Sequence, residues 1–150
     1  MRCFALEQLG NHGRIVLDES ARVGKDALAR EASKAETLIA ELAKRRPEDV
    51  FVQCVQAPEV KAINEINRGN PANALELLQA AKPYDGGDYG NVRYLRGNAY
   101  LRAGNGDESA REFQKVVALR NWALASPDVA LSQLGLARAY ALQGDKAKSR

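Results

Sequence analysis

The stretch LRGNAYLRAGNGDESAREFQKVV, residues Leu95 to Val117, reads as two amphipathic segments joined at a glycine. Gly104 falls where the first segment ends, and glycine readily adopts the left-handed conformation that closes a helix. The next residue, Asn105, is a favourable N-cap for the second segment, and Glu108 follows at the spacing of a capping box. The stretch therefore predicts two helices joined by a tight turn.

Similar turn signals occur elsewhere in the chain. Gly69-Asn70 lies in NRGNPANALELLQAA and Gly144-Asp145 in LQGDKAKSR, so the three glycines are 35 and 40 residues apart. Pro71 follows Asn70, and a proline in the first turn of a helix loses no hydrogen bond. A fainter copy, LAREASKAETLIAELAKRRPED, has Arg30 at the position of the glycine. The sequence thus predicts one helix pair built several times, the first copy with a looser turn.

The second helix of each copy carries small and large apolar residues at positions i, i+4 and i+7. These positions are Ala35, Ile39 and Leu42, then Ala74, Leu78 and Ala81, then Ser109, Phe113 and Val116. In the first helices, Gly97 with Tyr100 and Ala137 with Tyr140 have a comparable spacing. A small residue lets two helices approach closely and a large one fills the groove, so the pattern predicts all-α helix packing rather than a chemical motif.

These segments resemble the tetratricopeptide repeat family, whose period is near 34 residues. The resemblance covers about residues 16–150 and is strongest from Asn67 to Val117. It implies three to four helix pairs stacked as a right-handed superhelix, an α-solenoid, with the last repeat truncated. The chain departs from the family pattern at Arg30 and at Glu65, where a tyrosine is usual. Residues 1–15 are interpreted as one short helix, the remnant of a preceding repeat.

The order of the segments is also similar to the repeat regions of bacterial eukaryotic-like serine/threonine kinases and of some winged-helix regulators. This resemblance implies a module of a larger signalling protein. No kinase or winged-helix residues are present, so no catalytic function follows from it.

The residue types present argue against an enzyme. The chain has one histidine and two cysteines, with neither a metal-ligand spacing nor a catalytic triad. The glycine-rich GNGDES, from Gly104 to Ser109, lacks the lysine of a phosphate-binding loop. We expect no catalysis, no metal and no cofactor. Cys54 lies in an apolar run that predicts a buried free thiol, with a disulfide to Cys3 as the alternative.

Charge and hydropathy restrict the partners. The net charge of +3 is too small to predict nucleic-acid binding, and Arg93, Arg96 and Arg102 do not form one stripe at helical spacing. Tyr100, beside them, is predicted to be a core residue. No segment reaches the roughly 18 apolar residues of a membrane span, and the N-terminus lacks the hydrophobic core of a signal peptide. We expect a soluble, cytoplasmic segment without membrane contact, or an extracytoplasmic one if the parent is a membrane-anchored kinase.

The resemblance implies that the first helix of each pair lines a concave binding face. The candidate ligand-binding residues are Ile63, Asn67, Tyr94, Asn98, Leu101, Arg102, Leu134 and Arg138, beside Glu59, Ile66, Asn91, Leu131 and Leu142. Asn98 occupies the place where peptide-clamping members carry an asparagine, and arginines suit bidentate contact with a carboxylate. Ile63 stands where the preceding copy would need its asparagine, so the clamp is incomplete. The face predicts protein or peptide binding; the alternative is a solvated surface on a structural spacer or homodimerisation module.

Two further features bear on partners. Trp122 lies in the irregular connection ALRNWALASPD, where it either plugs the groove between repeats or anchors a partner. Pro127 is predicted to start the last repeat. The chain stops before a polar capping helix, which leaves Leu136, Tyr140 and Leu142 open, so we expect a homodimer through this edge or by helix swapping.

Overall fold

The computed structural model describes residues 31–85, 90–118 and 127–149, which are largely helical and contain no strand. The chain divides into two compact units, Met1–Leu38 and Ile39–Arg150. The first helix, α1, is described over residues 31–45 and crosses this division. The predicted N-terminal helix in residues 1–15, the turn at Arg30, Cys3 and Trp122 lie outside the described residues.

The remaining helices belong to the second unit. They are α2 (Ala57–Arg68), α3 (Pro71–Leu78), α4 (Gly90–Arg102), α5 (Gly106–Ala118) and α6 (Pro127–Leu142). Each of these helices packs against the next, and α4 also contacts both α2 and α6. The all-helical prediction is confirmed for the described residues, and Pro127 begins α6 as expected.

A π-helical turn, Val52–Gln56, leads into α2 and was not predicted. Pro58, in the first turn of α2, has no N–H to donate to the Cys54 carbonyl, and its ring would crowd that oxygen in an ordinary helix. The wider turn relieves this conflict, since the Ala57 N–H reaches back five residues to the Val52 carbonyl. The chain therefore stays helical from residue 50 to residue 68 despite the proline.

The turns after α2, α4 and α6 share one geometry. The closing glycines have left-handed φ angles, +85° at Gly69, +77° at Gly104 and +78° at Gly144. The N–H of each glycine donates to the carbonyl three residues earlier, and the next N–H donates to the carbonyl five residues earlier. This is the Schellman motif, and it confirms the predicted helix ends. The carbonyls of the second bond belong to Glu65, Tyr100 and Tyr140.

The predicted caps are only partly present. The Asn105 side chain accepts from the Glu108 N–H at 3.2 Å, and Asp145 accepts from the Lys148 N–H at 3.1 Å. The prediction for Asn70 was wrong, because its side-chain amide donates instead to the Glu65 carboxylate at 3.0 Å. The capping box at Asn105 is half formed, since its own N–H already donates to Tyr100 in the Schellman motif.

Most of the predicted second-helix positions belong to the buried core. Ala74, Leu78, Ala81, Ser109, Phe113 and Val116 are all buried, as is Ile39, whereas Ala35 and Leu42 are half-buried. The Phe113 ring is packed against Gly97 of α4 and Gly135 of α6, so closely that a Cβ would lie 2.7 Å and 2.5 Å from ring carbons. The Ser109 hydroxyl donates to the Gly97 carbonyl at 2.9 Å. These small residues set the separation of α4, α5 and α6.

Two expectations about the first helices need correction. In α6 the residue that admits a neighbouring helix is Gly135, two positions before the predicted Ala137, which is half-buried. Tyr100, expected in the core, is also half-buried. Both differences depend on how a helix is rotated against its neighbours, which residue spacing alone does not define.

Candidate functional site

The candidate residues lie on three helices that touch in succession, α2, α4 and α6. On each helix they follow a spacing of three or four residues, which places them on one side of that helix. We call this set the α2–α4–α6 face. It comprises Ile63, Asn67, Tyr94, Asn98, Leu101, Arg102, Leu134 and Arg138.

Most of this face is accessible. The exposed members are Ile63, Asn67, Arg102, Leu134 and Arg138, and the half-buried members are Tyr94, Asn98 and Leu101. Ile66, which was expected to point outward, is only 5% exposed and belongs to the hydrophobic core, so that expectation was wrong. Glu59 is half-buried, and the Asn91 side chain lies outside the description.

Tyr94 connects the face to the core. Its ring centroid lies 5.9 Å from that of Phe113, with an angle of 51° between the ring planes. Such tilted aromatic pairs are favourable beyond the area that they bury. Tyr94 is therefore held by its neighbour and presents only part of its ring to solvent.

An apolar stripe extends the face along α6. Leu131, Leu134 and Leu142 are 43%, 49% and 54% exposed, and Ile63 on α2 is 38% exposed. Arg138 lies four residues from both Leu134 and Leu142, so its guanidinium stem belongs to the same stripe. Large aliphatic side chains that share an exposed helix side are typical of a contact surface.

The charges on α4 and α6 differ from those on the other described helices. Eight arginines lie in the described residues, and five of them pair with a carboxylate: Arg45, Arg46, Arg68, Arg96 and Arg111. In the same part of the chain Arg93, Arg102 and Arg138 form no ion pair, and all three lie on α4 or α6. Helix α4 contains no acidic residue, and the only one in α6 is Asp128, in its first turn. The exposed side of these helices is therefore positively charged.

One arginine of α4 has a structural role instead. Arg96 is only 4% exposed; its Nε donates to the Glu112 carboxylate of α5 at 3.2 Å, and its guanidinium also pairs with Asp85. The other Glu112 oxygen lies 2.6 Å from the Lys115 ammonium. Arg96 thus joins α4, α5 and the connection after α3, and does not form a surface patch with Arg93 and Arg102.

The end of α6 is partly covered. The Gln114 amide donates to the Tyr140 hydroxyl at 2.7 Å, and the Lys148 ammonium lies 5.4 Å from the centre of the Tyr140 ring. The Ser149 N–H donates to the Asp145 carbonyl at 3.1 Å, which closes a turn after α6. Of the three residues expected to be open at this edge, Leu136 and Tyr140 are half-buried and Leu142 is exposed.

Two titratable groups outside the set of face residues, Cys54 and Glu65, take part in hydrogen bonds. Cys54 is a free thiol, half-buried rather than buried as expected, and its hydrogen bond to Tyr84 raises the pKa of the Tyr84 hydroxyl. The hydrogen bond from Arg68, followed by those from Asn70 and Asn73, lowers the pKa of Glu65.

Within the described ranges, no three His, Cys, Asp or Glu side chains are grouped as metal ligands would be. None of the helices described combines the length and apolar character needed to cross a bilayer.

No model of a known protein family, no curated protein and no solved structure matches this chain.

Proposed function

We propose that this chain is a tetratricopeptide-like module of a larger signalling protein, which binds a protein or peptide non-enzymatically. In this proposal α2, α4 and α6 line the concave side of a right-handed stack of helix pairs, and the α2–α4–α6 face is the binding surface.

The equivalence of the three turns is the observation that carries the proposal. Ile63, Asn98 and Arg138 each precede the closing glycine of their helix by six residues. The three helices end in the same Schellman geometry and α4 contacts both others, which supports a stack in which equivalent positions would form rows across the face. A row of side chains from successive repeats is how helical repeat proteins contact an extended partner.

The chemistry of the rows suits a peptide. Ile63 and Leu134 offer aliphatic contact, and the Asn98 amide can both donate to and accept from a peptide backbone. Arg102 and Arg138 supply exposed cations that form no ion pair with any described residue. With Ile63 in place of an asparagine, the face lacks the full set of polar groups that would clamp a C-terminal carboxylate.

Binding can be tested with peptides selected from a displayed random dodecapeptide library and measured by fluorescence anisotropy. We expect an Asn98→Ala, Arg102→Ala variant to lose at least tenfold in affinity, equal to about 1.4 kcal/mol. Arg111→Ala, which removes an exposed arginine from α5, is the matched control and should bind like the wild type. If no selected peptide distinguishes the double variant from this control, the proposal is wrong.

A homodimerisation or spacer module is the second candidate. The observation that favours it is the 54% exposure of Leu142 at the end of α6. Light scattering should then show a mass that rises to a dimer with concentration and a Leu142→Lys variant that stays monomeric. A wild type that remains a monomer at high concentration would exclude the dimer.

A further inference from the structure

We propose that the α2–α4–α6 face, extended by Leu131 and Leu142, takes an acidic amphipathic segment of a partner protein. Its aliphatic side chains would lie against the α6 leucines and its Asp or Glu side chains against Arg102 and Arg138. This inference rests on the proposed binding function and specifies the chemistry of the ligand.

The apolar stripe of α6 is long enough to contact a partner helix. Leu131 and Leu142 are 11 residues apart, which is about 16 Å along a helix at about 1.5 Å per residue. Leu134 lies between them and is exposed to a similar extent. A stripe of this length matches about three turns of a partner helix, which would bring apolar residues at i, i+3 or i+4, and i+7.

Two arginines of the α2–α4–α6 face are left without a carboxylate partner among the described residues. Arg102 and Arg138 are exposed and form no ion pair within the described part of the chain, whereas arginines on the other described helices are paired. Neither α4 nor α6 beyond its first turn provides a carboxylate. Charge complementarity therefore favours a partner that brings its own carboxylates, to which arginine can bind with two hydrogen bonds.

An anionic membrane is the main competitor for a leucine-and-arginine surface. Helices that bind membranes at the interface usually carry several Lys or Arg along the polar side. Here α6 carries one arginine in 16 residues, and the second cation belongs to a different helix, α4. Two cations on different helices, one of them within the aliphatic stripe of α6, suit a peptide with localised carboxylates better than a charged lipid surface.

The test uses dodecapeptides displayed through their C-terminus, so that no terminal carboxylate is free. Peptides selected on the whole chain should be enriched in Asp and Glu and in Leu, Ile, Phe or Met. Replacing their acidic residues by Lys should weaken binding at least tenfold. An Arg102→Glu, Arg138→Glu variant should lose the acidic peptides by a similar factor and gain the lysine versions.

Matched control variants distinguish an effect of the changed charge on binding from an effect on folding. Arg111→Glu changes an exposed arginine of α5 and should alter affinity less than twofold. Leu134→Ala with Leu142→Ala should weaken binding without loss of helix content, since both side chains are about half exposed. Binding should also weaken as salt shortens the Debye length from about 10 Å at 0.1 M to about 3 Å at 1 M.

Each contrary result has a distinct meaning. Neutral or basic peptides that still require Asn98 and Arg102 would overturn this inference and leave the proposed function intact. If none of the selected peptides depends on the α2–α4–α6 face for binding, both this inference and the proposed function are wrong. A third outcome is that no acidic peptide is selected and the chain sediments with vesicles of phosphatidylcholine and 30% phosphatidylserine. The inference would then be wrong, and the ligand of the face would be an anionic membrane.

Discussion

Phe113 is the residue on which three helices converge. It belongs to α5, has no exposed surface, and its ring meets the backbone of α4 at Gly97 and of α6 at Gly135. Tyr94 of the candidate face packs against the same ring. A change in the space around Phe113 is therefore expected to affect both stability and the position of the face.

A Gly135→Ala substitution tests this packing. Alanine in a helix interior is normally favoured over glycine by about 1 kcal/mol, but here its Cβ would lie 2.5 Å from the ring. We expect a net destabilisation of about 1–3 kcal/mol, measured by urea denaturation. In a double-mutant cycle, Phe113→Leu should reduce the cost of the alanine. A Gly135→Ala protein as stable as the wild type would show that the ring is not confined.

Glu65 is a second informative residue, because it stands where Tyr100 and Tyr140 stand in the other turns. Its carboxylate accepts hydrogen bonds from Arg68 at 2.8 Å and from the side chains of Asn70 and Asn73 at 3.0 and 3.2 Å. The equivalent positions in the other two turns carry the tyrosine rings. At this turn the hydrogen bonds to the Glu65 carboxylate take the place of a tyrosine ring.

This network predicts a pH effect. Because the folded pKa of Glu65 is lowered, the unfolded chain takes up its proton first as the pH falls. The stabilisation is complete at neutral pH and should be lost progressively below about pH 4.5, as the pH falls through the folded pKa. Carboxyl NMR titration should show the Glu65 pKa rising towards its ordinary value in Arg68→Ala and unchanged in Arg111→Ala. An equal pKa in all three proteins would contradict the assigned cause.

The turns between helices are stabilised by hydrogen bonds between residues close in sequence, whereas the contacts between helices join residues that are distant in sequence. The Schellman bonds and caps join residues within six positions of each other. The Arg96 network instead joins residues 11 and 16 positions apart, on different elements. Without Arg96, Asp85 would lose its arginine partner and Glu112 would keep only the Lys115 ammonium, which is costly in a low-dielectric interior.

Arg96→Ala is therefore expected to destabilise the protein by about 3–5 kcal/mol. The matched change Arg111→Ala breaks a surface pair one turn apart with Glu108 and should cost about 0–1 kcal/mol. Both are measured by urea denaturation, with Glu112→Gln as a milder variant that keeps the shape of the site. Equal costs for the two arginine variants would mean that the buried network does not stabilise the fold.

At the scale of the second unit, α4 is the central helix. It packs against α2, α3, α5 and α6, whereas the main contacts of α6 are with α5 and α4. Elements with more packed neighbours open less often, so stability should not be uniform along the chain.

Amide hydrogen exchange followed by mass spectrometry tests this expected difference in local stability between the helices. We expect peptides from α4 and α5 to exchange slowest and those from the last turn of α6 and residues 145–149 to exchange fastest. A selected peptide ligand should slow exchange in α6 more than in α3, since α3 carries no residue of the face. Exchange in α4 as fast as at the end of α6 would contradict a central role for α4.

The sequence by itself determined the helix ends and the core stripes. The three closing glycines, with the caps at Asn105 and Asp145, act on backbone groups a few residues away, so their effect can be predicted without any tertiary contact; the cap predicted at Asn70 did not form. The i, i+4, i+7 stripes likewise follow from the helical period. This is why the turns and buried second-helix positions such as Ser109 and Phe113 agree with expectation.

Only the tertiary structure decided how similar residues on one helix differ in role. Arg96 and Arg102 both belong to α4, yet one is buried between carboxylates of other elements and the other is exposed and unpaired in the described residues. Ile66 is in the core and Ile63 on the surface, and Gly135 rather than Ala137 admits Phe113. The physical reason is that these assignments depend on the rotation and neighbours of each helix, which are determined by contacts between residues distant in sequence.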